Sequence, residues 1–184
     1  MIASRRAVLA LIATATAFGG RAFAQALEVT ESVVKAAFLY KFAGYIDWPD
    51  IALEPASGAF VIGVMGNDEV YAELGRIQPG RSVAGRGLVV RRVRDLDSLA
   101  GVQMLFVGRP ESARLPVLVR AAQRQGILVV SETERGLEAG SVINFVVLDN
   151  RVGFDVSLDS AERSGHRVSS RMLAVARRVV PKAG

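Results

Sequence analysis

Apolar and polar positions along this chain follow two different rhythms. Between residues 57 and 132 the apolar residues come in short continuous runs: "SGAFVIGVMG" (57–66), "RGLVVRRV" (86–93), "VQMLFVG" (102–108) and "GILVVSE" (126–132). Runs of this length, bounded by glycine, predict strands buried on both faces. The segments between them have helical spacing. "NDEVYAELGRI" predicts a helix capped by Asn67 or Asp68, "DLDSLAG" a short helical turn, and residues 111–124 a helix with Pro116 in its first turns. Strands alternating with helices predict parallel pairing with helices laid over the sheet.

The two ends read differently. Residues 29–46 predict a long first helix, started by Thr30 or Ser32. Its expected stripe is Val33, Val34, Ala37, Phe38, Lys41, Phe42 and Tyr45 at three- and four-residue steps. Pro49 stops it, because proline has no amide hydrogen and biases Trp48 away from helix. Near the other end, "SVINFVVLDNRVGFDVSLD" (141–159) holds two runs joined at Asp149-Asn150-Arg151, a hairpin signal. In the second run Val152, Phe154, Val156 and Leu158 alternate with Gly153, Asp155, Ser157 and Asp159, the pattern of a strand near a sheet edge with its polar side in water. A short helix is expected over 160–165, and a last one over 167–180 with Ser169 or Ser170 as its cap. The fold class expected is α/β: a three-layer sandwich with about six strands in a mixed sheet, helices on both faces and a C-terminal β-hairpin.

The first residues change the reading of the charge. "MIASRRAVLALIATATAFGGRAFAQ" has a basic start, an apolar run from Ala7 to Phe18, and Ala22-Phe23-Ala24 before Gln25. This is the layout of a secretory signal peptide cleaved after Ala24, and the run falls short of the roughly 20 residues that span a bilayer. Ser4-Arg5-Arg6 also allows twin-arginine export beside the general route. The 184-residue chain has 23 basic and 18 acidic side chains, net +5; without Arg5, Arg6 and Arg21 there remain 20 against 18, net +2. A nearly balanced exported domain of residues 25–184 gives no reason to expect a nucleic-acid partner. With no cysteine, it also forms no disulfide and has no thiolate chemistry.

Candidate chemistry is sparse. His166 is the only histidine, so neither a two-histidine metal helix nor a facial triad is available, and no metal or cofactor is expected. Ser164, Ser169 and Ser170 lie near it in sequence, but no G-x-S-x-G turn exists to present a nucleophile, and "RSGHR" reads as a solvated loop. "GRSVAGRG" (80–87) has Arg86-Gly87 where a phosphate loop requires Lys then Ser or Thr, and it precedes a strand; it reads as a flexible connection. No catalytic residue is assigned.

What stands out is a set of segments in order. "KAAFLY" (35–40) on a helix ending at Trp48-Pro49, Val152-x-Phe154-x-Val156-x-Leu158, and Ser169-Ser170-Arg171-Met172-Leu173 resemble the YfiR-like family of exported proteins, over residues 31–179. The resemblance implies a periplasmic repressor, not an enzyme. Its binding partner would be the periplasmic sensory domain of a membrane-bound diguanylate cyclase of the YfiN type, and its effect would be to lower cyclic di-GMP and disfavour biofilm. It also implies that an outer-membrane lipoprotein can draw the repressor away, and that a homodimer is allowed. The cysteine pairs of some relatives are absent here.

Such a role needs state-dependent affinity carried by exposed apolar surface. The helix stripe of Phe38, Phe42 and Tyr45 is expected in the core. Trp48 is left open between plugging the core and lining a partner groove. Phe154 is the second interface candidate, with core as the leading expectation, and His166 and Arg171 are candidates for bordering that surface. A periplasmic small-ligand binder, using the crevice at the strand ends of an open sheet, is the alternative; an exported hydrolase is the weakest reading.

Overall fold

The computed structural model describes the backbone of residues 19–49 and 58–182, and the side chains of those from Glu31 onward. Most of the expected leader, residues 1–18, lies outside the described residues. The elements in chain order are α1 (Gly19–Gly44), β1 (Ile46–Asp47), β2 (Phe60–Met65), α2 (Asp68–Ile77), β3 (Ser82–Val83), β4 (Arg86–Arg92) and β5 (Met104–Val107). They continue with α3 (Leu115–Gln123), β6 (Leu128–Ser131), β7 (Ile143–Leu148), β8 (Arg151–Ser157), α4 (Leu158–Arg163), β9 (Arg167–Val168), α5 (Ser170–Leu173) and β10 (Arg178–Val180). A single 3₁₀ turn lies at Asp97–Leu99, and a six-residue 3₁₀ helix at Arg109–Arg114 leads directly into α3.

The main sheet has eight strands in the order β10-β8-β7-β6-β5-β2-β4-β3, and β1 pairs with β9 in a separate ribbon. The α/β sandwich and its mixed sheet are as expected, with more strands than the expected six. From β4 through β7 the strands are parallel; β8 runs against β7 and β3 against β4, and β10 lies parallel to β8. The expected hairpin is β7–β8, turned by Asp149 and Asn150, both at positive φ (49° and 57°). Two consecutive left-handed residues give the turn whose twist suits a two-residue hairpin.

Alternation along the central strands explains why they read as unbroken apolar runs. Phe60, Ile62 and Val64 of β2, Met104 and Phe106 of β5, and Leu128 and Val130 of β6 face one core, under α1 and α2. Val61, Met65, Leu105, Val107 and Val129 face the other, under α3. Both faces are dry, so every position is apolar.

The chain's ends differ from expectation. α1 begins well before residue 29, so Thr30 and Ser32 fall inside it instead of capping it. Its buried stripe is Ser32, Lys35, Ala36, Leu39, Phe42, Ala43, with Ile46 just past its end; Val33, Lys41 and Tyr45 are exposed. Residues 167–180 are not one helix. Ser169 does cap α5, its hydroxyl accepting from Met172 N at 3.4 Å, but α5 has only four residues before the chain extends into β10. Pairing with β8 overrides the helical spacing there. "GRSVAGRG" is the β3–β4 hairpin, with Ala84 and Gly85 at positive φ.

Candidate functional site

Strand order reverses direction at β2: the chain passes to β4 on one side, then returns to β5 on the other. The crevice outside the carboxyl ends of two such strands is where open α/β sheets place ligands. Here the two loops touch. Gly108 N donates to Met65 O at 2.8 Å, and a side chain at Gly108 would meet Gly66 O at 2.4 Å, so only glycine permits the contact.

A buried charged cluster closes this crevice. Lys35, on the core stripe of α1, has a side chain 2% exposed and forms ion pairs with Glu31, one turn earlier, and with Glu132, just past β6. The other Glu132 oxygen accepts from Asn67 Nδ2 at 3.1 Å and from Arg109 N at 3.2 Å. Arg109 also reaches Glu31 at 3.4 Å. Asn67 has a second role, accepting from Val70 N at 2.9 Å as the cap of α2, as expected. The cluster thus ties α1 and α2 to the ends of β2, β5 and β6. A pair of this kind is held by its hydrogen bonds, because removing one partner strands a desolvated charge at a cost of about 3–5 kcal/mol. The sequence reading passed over Lys35 and Glu132. The available signal was a lysine four residues before Leu39 and seven before Phe42, on a face that must be dry.

Trp48 and His166 lie at the opposite, amino ends of the strands. The indole Nε1 of Trp48 donates to Ala43 O at 2.9 Å, and its ring stands edge-on to Phe60 (4.9 Å) and His166 (5.1 Å). Trp48 is half-buried and packs against the core. His166 is 3% exposed, so "RSGHR" is not a wholly solvated loop. Its Nδ1 lies 3.1 Å from Ser164 Oγ, while Nε2 is buried without a hydrogen-bond partner. Burial pushes the imidazole pKa down to about 4, opposed by the Gly126 backbone, so the ring is neutral at pH 7.

Phe154 is 2% exposed and lies inside an aromatic cluster, 4.8 Å from Phe42 and 5.5 Å from Phe38. It is core, and presents no surface in this fold. Its neighbour Asp155 overturns the expected water-facing row: the carboxylate is buried, held by Arg177 through Nε at 2.8 Å and a second contact, and by Arg178 at 3.2 Å. Ser157 is buried too, capping α4 by accepting from Ser160 N. Arg171 is exposed on α5. Of the four sequence candidates, Trp48 and His166 meet; Phe154 and Arg171 stand apart from that pair in the contacts of their rings and charges.

On the α3 side the sheet is covered only at its centre. Beyond β6, a cleft of about 1140 Å³ lies between residues 109–116 and 132–139, with Asn144, Val146 and Asp155 on its floor and Arg177 and Arg178 at the far side.

The molecule is thus a mixed α/β domain with a buried charge cluster at the carboxyl ends of its central strands and a C-terminal hairpin bordered by β10. The chain belongs to the YfiR/HmsC-like family, whose pattern matches residues 32–177. No curated protein matches the sequence. Solved structures similar to it include a conserved domain protein from Vibrio cholerae O1 biovar El Tor strain N16961, at TM-score 0.49 and 11% identity. Another is the ABC domain in complex with L-Trp from Streptococcus pneumonia, at TM-score 0.48 and 12% identity. Each match covers 71% of this chain and 58% of the other. Among the described residues, no helix is long and apolar enough to cross a membrane.

Proposed function

We propose that this chain is an exported regulator that represses a membrane-bound diguanylate cyclase of the YfiN type by binding its periplasmic sensory domain, and so lowers cyclic di-GMP. The observation that carries this reading is the family match, which takes in α1 from Ser32, every strand of the main sheet except β10, and the Asp155–Arg177 clamp. The reading includes a signal peptide of residues 1–24 and a single regulatory domain of 25–184, acting in the periplasm without catalysis. An outer-membrane lipoprotein that sequesters the domain, and a homodimer, belong to the same proposal.

Repression by binding requires only tighter association with the inactive receptor than with the active one. Exposed apolar side chains at Val33 on α1 and at Tyr45 just past its end are available for it, with half-buried Trp48 further on and Arg171 on α5. His166 and Phe154 would act from behind that surface.

Deleting the gene raises cyclic di-GMP and surface attachment, and restoring it reverses both. Unchanged cyclic di-GMP in a strain shown to contain the cyclase would overturn the proposal. Fractionation tests the export step separately: the cleaved form belongs in the periplasmic fraction.

A further inference from the structure

The cleft beyond α3 has the features of a ligand site, and none of its lining residues is among those proposed above for partner contact. Its floor holds a donor with a fixed aim. Asn144 is 4% exposed, and its Oδ1 accepts from Ser131 Oγ at 2.7 Å and from Thr133 N at 3.1 Å. Gly136 is packed so closely on that amide that a Cβ would fall 2.2 Å from Oδ1, which holds the amide in one orientation. The Nδ2 group is then left as an unpaired donor on the cleft floor. Nδ2 is not sealed from solvent, so its N–H groups are free to meet an acceptor that enters the cleft.

The surrounding charges select the kind of acceptor. The two buried acids of the lining are already engaged, Glu132 by Lys35 and Asp155 by Arg177 and Arg178. Glu138 is paired with Arg135, and Glu134 stands on the exposed rim. The Arg109 guanidinium has one long contact, 3.4 Å to Glu31, and Arg178 meets one oxygen, Asp155 Oδ2, through Nε and Nη2 at 3.2 Å, so both leave guanidinium N–H groups to spare. Leu115, Leu137 and Val146 make the remaining walls apolar.

We propose that this cleft binds a small organic carboxylate. Its acid group lies toward Asn144, Arg109 and Arg178, and its hydrocarbon part lies along Leu115, Leu137 and Val146. The apolar walls favour it over an inorganic anion, and the surplus of donors disfavours a cation.

The test uses the exported form of the protein, with succinate, glutarate and hexanoate as probes and with sulfate and hexylamine as controls. Melting temperature and isothermal titration are the readouts. At least one carboxylate should raise the melting temperature saturably and bind one-to-one, with sulfate and hexylamine inert. Arg178→Gln should weaken that binding about tenfold, the loss of one charge-assisted contact. Ala113→Trp, an exposed wall position, should fill the cleft and abolish binding while leaving the fold intact by circular dichroism. Asn144→Asp should also abolish it, by replacing the donor with a repelling acid. No binding of any carboxylate at about 10 mM would overturn the proposal, since a site of this kind saturates well below that. So would undiminished binding in the Ala113→Trp protein, or equal binding of hexylamine or sulfate.

Discussion

The two faces of the sheet are built on different terms. On the α1 side every strand from β4 to β8 turns an apolar residue inward, and Phe38, Phe42, Phe145 and Phe154 form one aromatic cluster with centroids 4.8–6.2 Å apart. On the α3 side the apolar layer ends at β6; the same strands further along carry Asn144 and Asp155 in register with one another. One face is finished by the chain's own helices. The other is left half open and paved with polar groups whose orientation is fixed. The first face carries the aromatic core and the second the cleft proposed to hold a ligand, and substitutions should separate them.

The largest effect is expected in the aromatic cluster. Phe42→Ala should lower unfolding free energy by about 3–5 kcal/mol, measured by urea denaturation, through lost burial and the cavity left behind. A loss below ~1 kcal/mol would show that the first face is not the stabilising one.

Lys35→Ala should cost a comparable ~3–5 kcal/mol, because Glu132 is left charged and dry. The pair Lys35→Met with Glu132→Gln should recover at least half of that loss, since no buried charge remains uncompensated. A double variant as weak as the single one would mean that Lys35 matters for packing alone.

His166 makes the first face sensitive to acid. Its folded pKa of about 4 lies below the ordinary 6.5, so between these values the unfolded chain binds more protons and stability falls as the pH drops. Its contribution is intact above pH 6.5 and lost by about pH 4, on the order of 3 kcal/mol. Urea midpoints of the native protein and of His166→Leu, compared at several pH values, should diverge across that window. Parallel curves would refute it.

The smallest effect is expected at the tip of the open face. Leu148 is 55% exposed, and Leu148→Ser should change stability by less than ~0.5 kcal/mol.

The sequence made the centre of this fold readable because β2, β5 and β6 are buried on both sides, which leaves no polar position to confuse the pattern. It was less readable wherever a charged side chain is buried with a partner far along the chain. Lys35 was counted as polar, so the stripe of α1 was drawn through Val33 and Tyr45, about one residue out of phase. Asp155 was assigned to water because its counter-charges come 22 and 23 residues later, on a segment whose spacing suggested helix. His166 does lie in a loop, but it was read as solvated because its cover comes from Trp48, more than a hundred positions away. The cleft had no sequence signature, because it arises from a helix that stops short of covering β7 and β8.

The chain has a single tryptophan, and it stands edge-on to the single histidine. A protonated imidazole quenches indole emission, so the tryptophan fluorescence of this molecule reports on one corner. Acid entering that corner, or a receptor seating over α1, would register there without any attached dye.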